Sequence, residues 1–175
     1  MSKWNIDPDH SVAAFSISHM TVAFVHGQMN DVSGTIDYDP NNISSLAVDF
    51  KIDVESIITG VKKRDEHLKS EDFFNVKKYH SINYKSTTAE RTGSNSAKIS
   101  GDLTIHGVKQ PLTMDAYVSG PVKSPFGETT IGITGKIVLD RENFGINWNQ
   151  PLEDGGFMVG KTVNVSFDLE GDLEE

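Results

Sequence analysis

The chain has 175 residues, a formal net charge of −9 and no cysteine. One all-β barrel or sandwich absorbs that length, and 46 Leu, Ile, Val and Phe residues are too many for a disordered chain. The acidic balance argues against nucleic acid as a partner, because a phosphate backbone needs a basic stripe. Absence of Cys removes disulfide scaffolds, cysteine metal sites and thiol nucleophiles together.

From the N-terminus, Met1-Ser2-Lys3-Trp4-Asn5-Ile6-Asp7 has no apolar signal core and runs straight into a strand-like pattern. The sequence as it stands therefore reads as cytoplasmic, or as periplasmic if a leader has been removed. The uncharged stretch between Asp9 and Asp31 carries Ser11, Ser16, Ser18, His19, Thr21, His26 and Gln28. That polar load rules it out as a bilayer span, and no integral membrane segment is expected. Within it Ala13, Phe15 and Ile17 share one face of a strand. Ile36/Tyr38 and then Leu46, Val48, Phe50 and Ile52 continue the period of two.

The segment from Ser56 to Phe74 departs from this period. Ile57, Val61 and Leu68 fall at helical offsets, with Arg64 in the same stripe and His67 beside it. Ser70, followed by Glu71 and Asp72, reads as the N-cap of a further short helix through Phe73 and Phe74. The expectation is a helical insertion at about 56–78, lying across one end of a barrel.

Alternation resumes at Ile82/Tyr84, Ile99/Leu103/Ile105, Leu112/Met114/Ala116/Val118, Ile131/Ile133/Ile137/Leu139 and Val163/Val165/Phe167/Leu169. With one wet face each, about eight strands in antiparallel pairing are expected. Val and Ile total 29 against 8 Leu, a balance that suits strands. Gly34, Gly101 and Gly135 each open a strand with apolar residues two and four positions on. Glycine there lets a sheet bend sharply enough to close.

No nucleophile elbow, zinc-protease motif, phosphate loop or dinucleotide fingerprint is present. The six His, at 10, 19, 26, 67, 80 and 106, include no pair spaced for local metal binding, so no metal site is expected. Arg64 on an apolar stripe has two readings: its stem covers apolar surface while its head reaches water or a carboxylate, or it presents a polar group at a cavity mouth. Arg141, in Asp140-Arg141-Glu142-Asn143-Phe144-Gly145, poses the same choice, with pinning of a barrel end through carboxylates as the first reading.

Several blocks in order carry a family resemblance. They are Trp4-Asn5-Ile6-Asp7 with His10-Ser11, Phe15-Ser-Ile-Ser-His19-Met20, Ser56-Ile57 with Thr59, and Arg64-Asp65-Glu66-His67-Leu68-Lys69-Ser70 with Asp72-Phe73-Phe74. Gly101-Asp-Leu-Thr-Ile-His-Gly107 and Arg141-Glu-Asn-Phe144-Gly145 complete the set. Together they resemble the YceI-like family of lipid-binding barrel proteins across nearly the whole chain. The resemblance implies one domain over 1–175: an all-β, extended eight-stranded antiparallel lipocalin-like barrel with a helical insertion at one end. It also implies binding of a long isoprenoid chain, of isoprenoid quinone or polyprenyl type, in an elongated apolar interior, and it allows a homodimer.

The leading functional expectation is a non-catalytic carrier or store whose only ligand is the isoprenoid lipid, with no cofactor. The expected tail-lining residues are Phe15, Ile17, His19, Phe24, Leu46, Val48, Phe50 and Ile82, followed along the chain by Tyr84, Leu103, Ile105, Met114, Ile133, Phe144 and Val165. Arg64, His67 and Arg141 are the candidate polar groups at the mouth. An enzyme acting on an amphiphile is the alternative, and needs a cavity-facing His, from His19, His67 or His106, within hydrogen-bond reach of a carboxylate. Alternation turns His106 outward and makes His19 the better candidate. A stress-linked structural protein with a solidly packed barrel is the third reading.

Overall fold

The computed structural model describes residues 1–174, in which ten strands form one antiparallel sheet. They are β1 (Ser2–Ile6), β2 (Val12–His19), β3 (Ala23–Met29), β4 (Val32–Asp39), β5 (Asn42–Asp53), β6 (Ser81–Arg91), β7 (Ser96–Ile105), β8 (Val108–Lys123), β9 (Thr129–Asp140) and β10 (Val159–Leu173). Their order is β1-β4-β5-β6-β7-β8-β9-β10-β2-β3, and β1 also pairs with β10. Eight of the ten therefore close a ring, β1-β4-β5-β6-β7-β8-β9-β10.

The expected eight lanes are present, two of them broken. β1 and β2 both lie beside β10, β1 against Gly171–Leu173 and β2 against Val159–Asp168. A 3₁₀ turn at Pro8–His10 separates them, with the Asp7 carboxylate accepting from the Asp9 N–H. Pro8 cannot donate to a ladder, so the lane breaks there. β3 and β4 break likewise at Asn30–Asp31. Val32 pairs with Ile52, one residue from the end of β5, so β3 runs on past the ring. The β2–β3 hairpin overhangs one end as a flap whose outer edge meets the body through a single bridge, Gln28 to Ile58.

Glycines shape the curvature as expected. A Cβ on Gly34, whose φ is +143°, would lie 2.7 Å from the Phe50 Cα, and one on Gly101 would lie 2.7 Å from the Ser86 Cα. Backbones cross too closely there for any side chain.

The insertion is less helical than its stripe suggests. A 3₁₀ turn covers Val54–Ser56 and α1 spans only Lys62–Lys69. Gly60 sits at φ +83° and interrupts the helix before it can start, so Ile57 is buried outside α1 and Val61 is an exposed N-cap. The segment after Ser70 is a chain of turns rather than a second helix. The Ser70 carbonyl accepts from both Phe73 and Asn75, and Asn75 takes a positive φ of 46°.

Burial divides the barrel interior. At the closed end Trp4, Ile36, Leu46, Val48, Tyr84, Ile99, Met114, Ile131, Ile133 and Leu169 are all buried in one packed core. At the overhanging end the walls part around a hollow.

Candidate functional site

The hollow is a chamber of about 300 Å³. One wall is the inner face of the flap and of β10, with Phe15, Ile17 and His19 on β2, Val25 and Met29 on β3, and Val163, Val165 and Phe167 on β10. Opposite stand Arg64, His67, Leu68, Phe73 and Phe74 of the insertion. Phe50, Ile82, Leu103 and Ile105 lie at the inner end, and Phe144, Ile146, Trp148 and Met158 come from the crossing between β9 and β10. His67 stacks edge-on against Phe73 and Trp148, with ring centroids 5.0 and 4.8 Å away. Together these rings join the insertion to the crossing.

Both arginines at the chamber donate to the chain beside it. Arg64 Nε donates to Thr59 Oγ1 at 2.7 Å and Nη2 to the Thr59 carbonyl at 2.9 Å. Thr59 is itself held by Asp65, whose Oδ1 accepts from both the Thr59 N–H and its hydroxyl. Arg141, only 6% exposed, donates Nε to Gly160 O and Nη1 to Ile146 O, each at 2.8 Å, and Nη2 to Val159 O at 3.4 Å. Burial lowers the Arg141 pKa, against the opposing pull of Glu142 and Asp140. The carboxylates expected to hold Arg141, and the water or carboxylate expected at the head of Arg64, are replaced by backbone carbonyls and a threonine. Guanidinium donors suit carbonyls left free at irregular chain, and here they staple the segments that carry chamber residues. The stems of both side chains remain to line an almost wholly apolar space.

Twelve of the residues singled out from sequence meet at this chamber: Phe15, Ile17, His19, Phe50, Ile82, Leu103, Ile105, Phe144, Val165, Arg64, His67 and Arg141. Leu46, Val48, Tyr84, Met114 and Ile133 are inward but belong to the packed end and do not border it. Phe24 is a correction: it is 58% exposed on the outer face of β3. Val25, Gly27 and Met29 take the inner face, and Gly27 in the middle masks that alternation. Ile146, Trp148 and Met158 were missed because the irregular chain from 145 to 158 has no period to read. A lone Trp just after the Arg141 block was the one available signal.

The histidines separate by environment. His106, at φ +53°, points away from the chamber, with Nδ1 3.2 Å from Phe144 O and its ring against Tyr79. His19 borders the chamber, and among the described residues it has no hydrogen-bond partner through its ring. His67 borders it too, and its Nε2 lies 2.8 Å from Asp72 Oδ2. Away from the chamber, where the first lane breaks, His10 Nδ1 lies 2.6 Å from Asp7 Oδ2 and 3.7 Å from Glu170 Oε1. The hydrogen bond to Asp7, and then the two negative charges, raise the His10 pKa; the same bond lowers that of Asp7.

An antiparallel barrel packed at one end and hollow and apolar at the other belongs to the class that can enclose one small apolar ligand. The comparisons name the group within that class: the YceI-like domain model matches residues 4–171, and the chain belongs to this family. A UPF0312 protein of Staphylococcus aureus is 34% identical over 176 residues, covering the whole of both chains. Among solved structures, Burkholderia cenocepacia BcnA superposes with a TM-score of 0.81 at 22% identity, covering 94% of this chain and 98% of its own. A polyisoprenoid binding domain from Saccharophagus degradans, implicated in plant cell wall breakdown, gives 0.76 at 16% identity, covering 99% and 100%.

Proposed function

We propose that the chain binds and carries or stores an isoprenoid lipid of quinone or polyprenyl type, with the apolar end of the lipid in the chamber and no chemistry performed on it. One observation carries the reading: the hollow is lined almost wholly by apolar groups even where arginines border it, Arg141 donating to backbone carbonyls and Arg64 Nε and Nη2 to Thr59. Such a space favours a hydrocarbon by about 0.8 kcal/mol per buried CH2 and offers a polar ligand little. The S. degradans neighbour, described as polyisoprenoid-binding, supports the same direction. Organic extraction of the purified protein followed by mass spectrometry tests it. A co-purified prenyl lipid in wild type, lost in a Phe15→Asp variant that keeps its barrel spectrum, is the expected result, since that change buries an unpaired charge in the chamber. Lipid retained by a folded Phe15→Asp variant would place the ligand elsewhere.

One contact favours a second reading. His67, which borders the cavity, is hydrogen-bonded to the Asp72 carboxylate outside it, the arrangement required of a general base. Turnover of a prenyl ester that disappears in His67→Gln while lipid retention persists would establish it. Retention with no turnover in wild type leaves the carrier.

A further inference from the structure

Where the first lane breaks, three side chains from opposite ends of the sequence meet on the outside of the barrel. Asp7 caps the Pro8–His10 turn, His10 ends it, and Glu170 comes from β10. Each offers one ligand atom, and these atoms lie within 4.8 Å of one another. Backbone bonds set their positions. The Asp7 N–H donates to the Glu170 carbonyl at 2.9 Å, and the Glu170 N–H donates at 3.0 Å to Oγ of Ser11, which is buried. Asp7 Oδ1 is taken by the Asp9 N–H, which leaves Oδ2 for His10. The trio is short of positive charge. His10 Nδ1 reaches Asp7 at 2.6 Å but stands 3.7 Å from Glu170, and among the described residues no Lys or Arg pairs with either carboxylate. Even a protonated His10 leaves one negative charge over.

We propose that Asp7, His10 and Glu170 bind a divalent transition-metal ion of the zinc type. An imidazole nitrogen beside two carboxylate oxygens suits such an ion, whereas magnesium and calcium take oxygen ligands. Tetrahedral bonds of about 2.0–2.1 Å put neighbouring ligand atoms about 3.3 Å apart. The present 2.6 and 3.7 Å fall on either side of that spacing, so small side-chain rotations are enough. His10 is the most exposed of the three and has room to turn, coordinating through Nδ1 with its proton on Nε2. A cleft lined by Pro8, Asp9, Ser11, Asn30 and Asp31 opens beside it and gives water access to the remaining positions of the shell. Spacing along the chain hides the site, because only the β1–β10 pairing brings Glu170 to it. An ion held there ties the turn that leads into β2 onto β10, at the root of the flap, and is independent of what the chamber holds.

The test is a zinc titration of the untagged full chain after dialysis against a chelator, read by competition with a fluorescent zinc indicator. Wild type should take up one zinc ion per chain. Its melting temperature should rise with zinc, since an ion bound by the folded state alone stabilises that state. Loss of an outer-shell partner costs about 10–100-fold in metal affinity, so loss of a ligand should cost at least about a hundredfold. His10→Ala and Glu170→Gln should each show that loss, together with loss of the zinc-dependent rise in melting temperature. His26→Ala, at an exposed position on β3, should change neither. Glu170→Gln keeps the shape of the side chain, so the site remains testable if His10→Ala does not fold. Magnesium in about hundredfold excess should leave the zinc in place. No uptake by wild type, uptake that either folded ligand variant leaves intact, or displacement of zinc by magnesium overturns the proposal.

Discussion

The closed and hollow ends of this barrel share β5, β6, β7 and β10 with the same alternation, yet they are held by different forces. At the closed end, large side chains interdigitate and the ring is complete, so stability there is mainly apolar burial and packing. Trp4 is typical, buried at 2% with its Nε1 donating to Tyr38 O at 3.3 Å. At the hollow end the walls do not meet, and polar side chains fix irregular segments in place. Arg141 holds the β9–β10 crossing, Arg64 holds Thr59, and Asn149 exchanges hydrogen bonds with both backbone groups of Val159. A binding cavity leaves side chains short of packing partners, so directional bonds supply the rigidity that packing supplies elsewhere.

The most forceful way to break this contrast is to truncate one residue at each end. Trp4→Ala should cost about 3–5 kcal/mol, whereas Val163→Ala on the chamber wall should cost about 1–1.5 kcal/mol. Denaturant melts of both variants check it, and equal losses would show that the two ends are packed alike. Arg141→Met comes next. It keeps an apolar stem but removes the arginine donor from the Gly160 and Ile146 carbonyls, which should cost about 2–4 kcal/mol, while the Val159 carbonyl keeps Asn149. Lipid retention should weaken with stability, because the same crossing carries Trp148 and Met158.

Tyr84, at the border between the ends, should give a smaller change of opposite sign. It is 1% exposed, its hydroxyl has no hydrogen-bond partner, and desolvation first, then Asp102, pushes its pKa up to about 12. Tyr84→Phe removes an unsatisfied buried group and should raise stability by about 1–2 kcal/mol. An unchanged or lowered melting temperature would mean that the hydroxyl is satisfied in solution.

The smallest effect concerns pH. The raised His10 pKa means that its contribution is complete below the ordinary histidine range and is lost as pH rises through the raised value. The depressed Asp7 pKa works the other way, contributing above the ordinary carboxylate range and fading as pH falls through the lowered value. Between the two, the pair should add a shallow maximum to the stability profile. Thermal melts across that range should lose the alkaline shoulder in His10→Ala, and an identical profile in the variant would remove the pair from the account.

Period two made the strand lanes and most of the inward faces legible, because alternation reports which side of a strand is apolar. It could not say which end is hollow: Leu46 and Val48 follow the same pattern as Phe50 and Ile52, and only register and the overhang of β3 separate them. Phe24 was misplaced because it is apolar and its inward neighbours include Gly27. The insertion was misread as longer helix because offsets alone do not register that Gly60 breaks the stripe. Arg64 and Arg141 were legible as unusual residues but not as staples, since backbone carbonyls leave no mark in a sequence.

The two lane breaks also have a kinetic meaning. Because the chain gives way at Pro8–His10 and again at Asn30–Asp31, the β2–β3 flap is joined to the rest through β10 on one side and one bridge, Gln28 to Ile58, on the other. With a joint at each end it should open as a unit of its own, since sub-global opening follows such segments. Such an opening would bare the flap side of the chamber and leave the ladders of the closed ring intact. Amides 12–29 should then exchange with solvent sooner than those of β6 to β8.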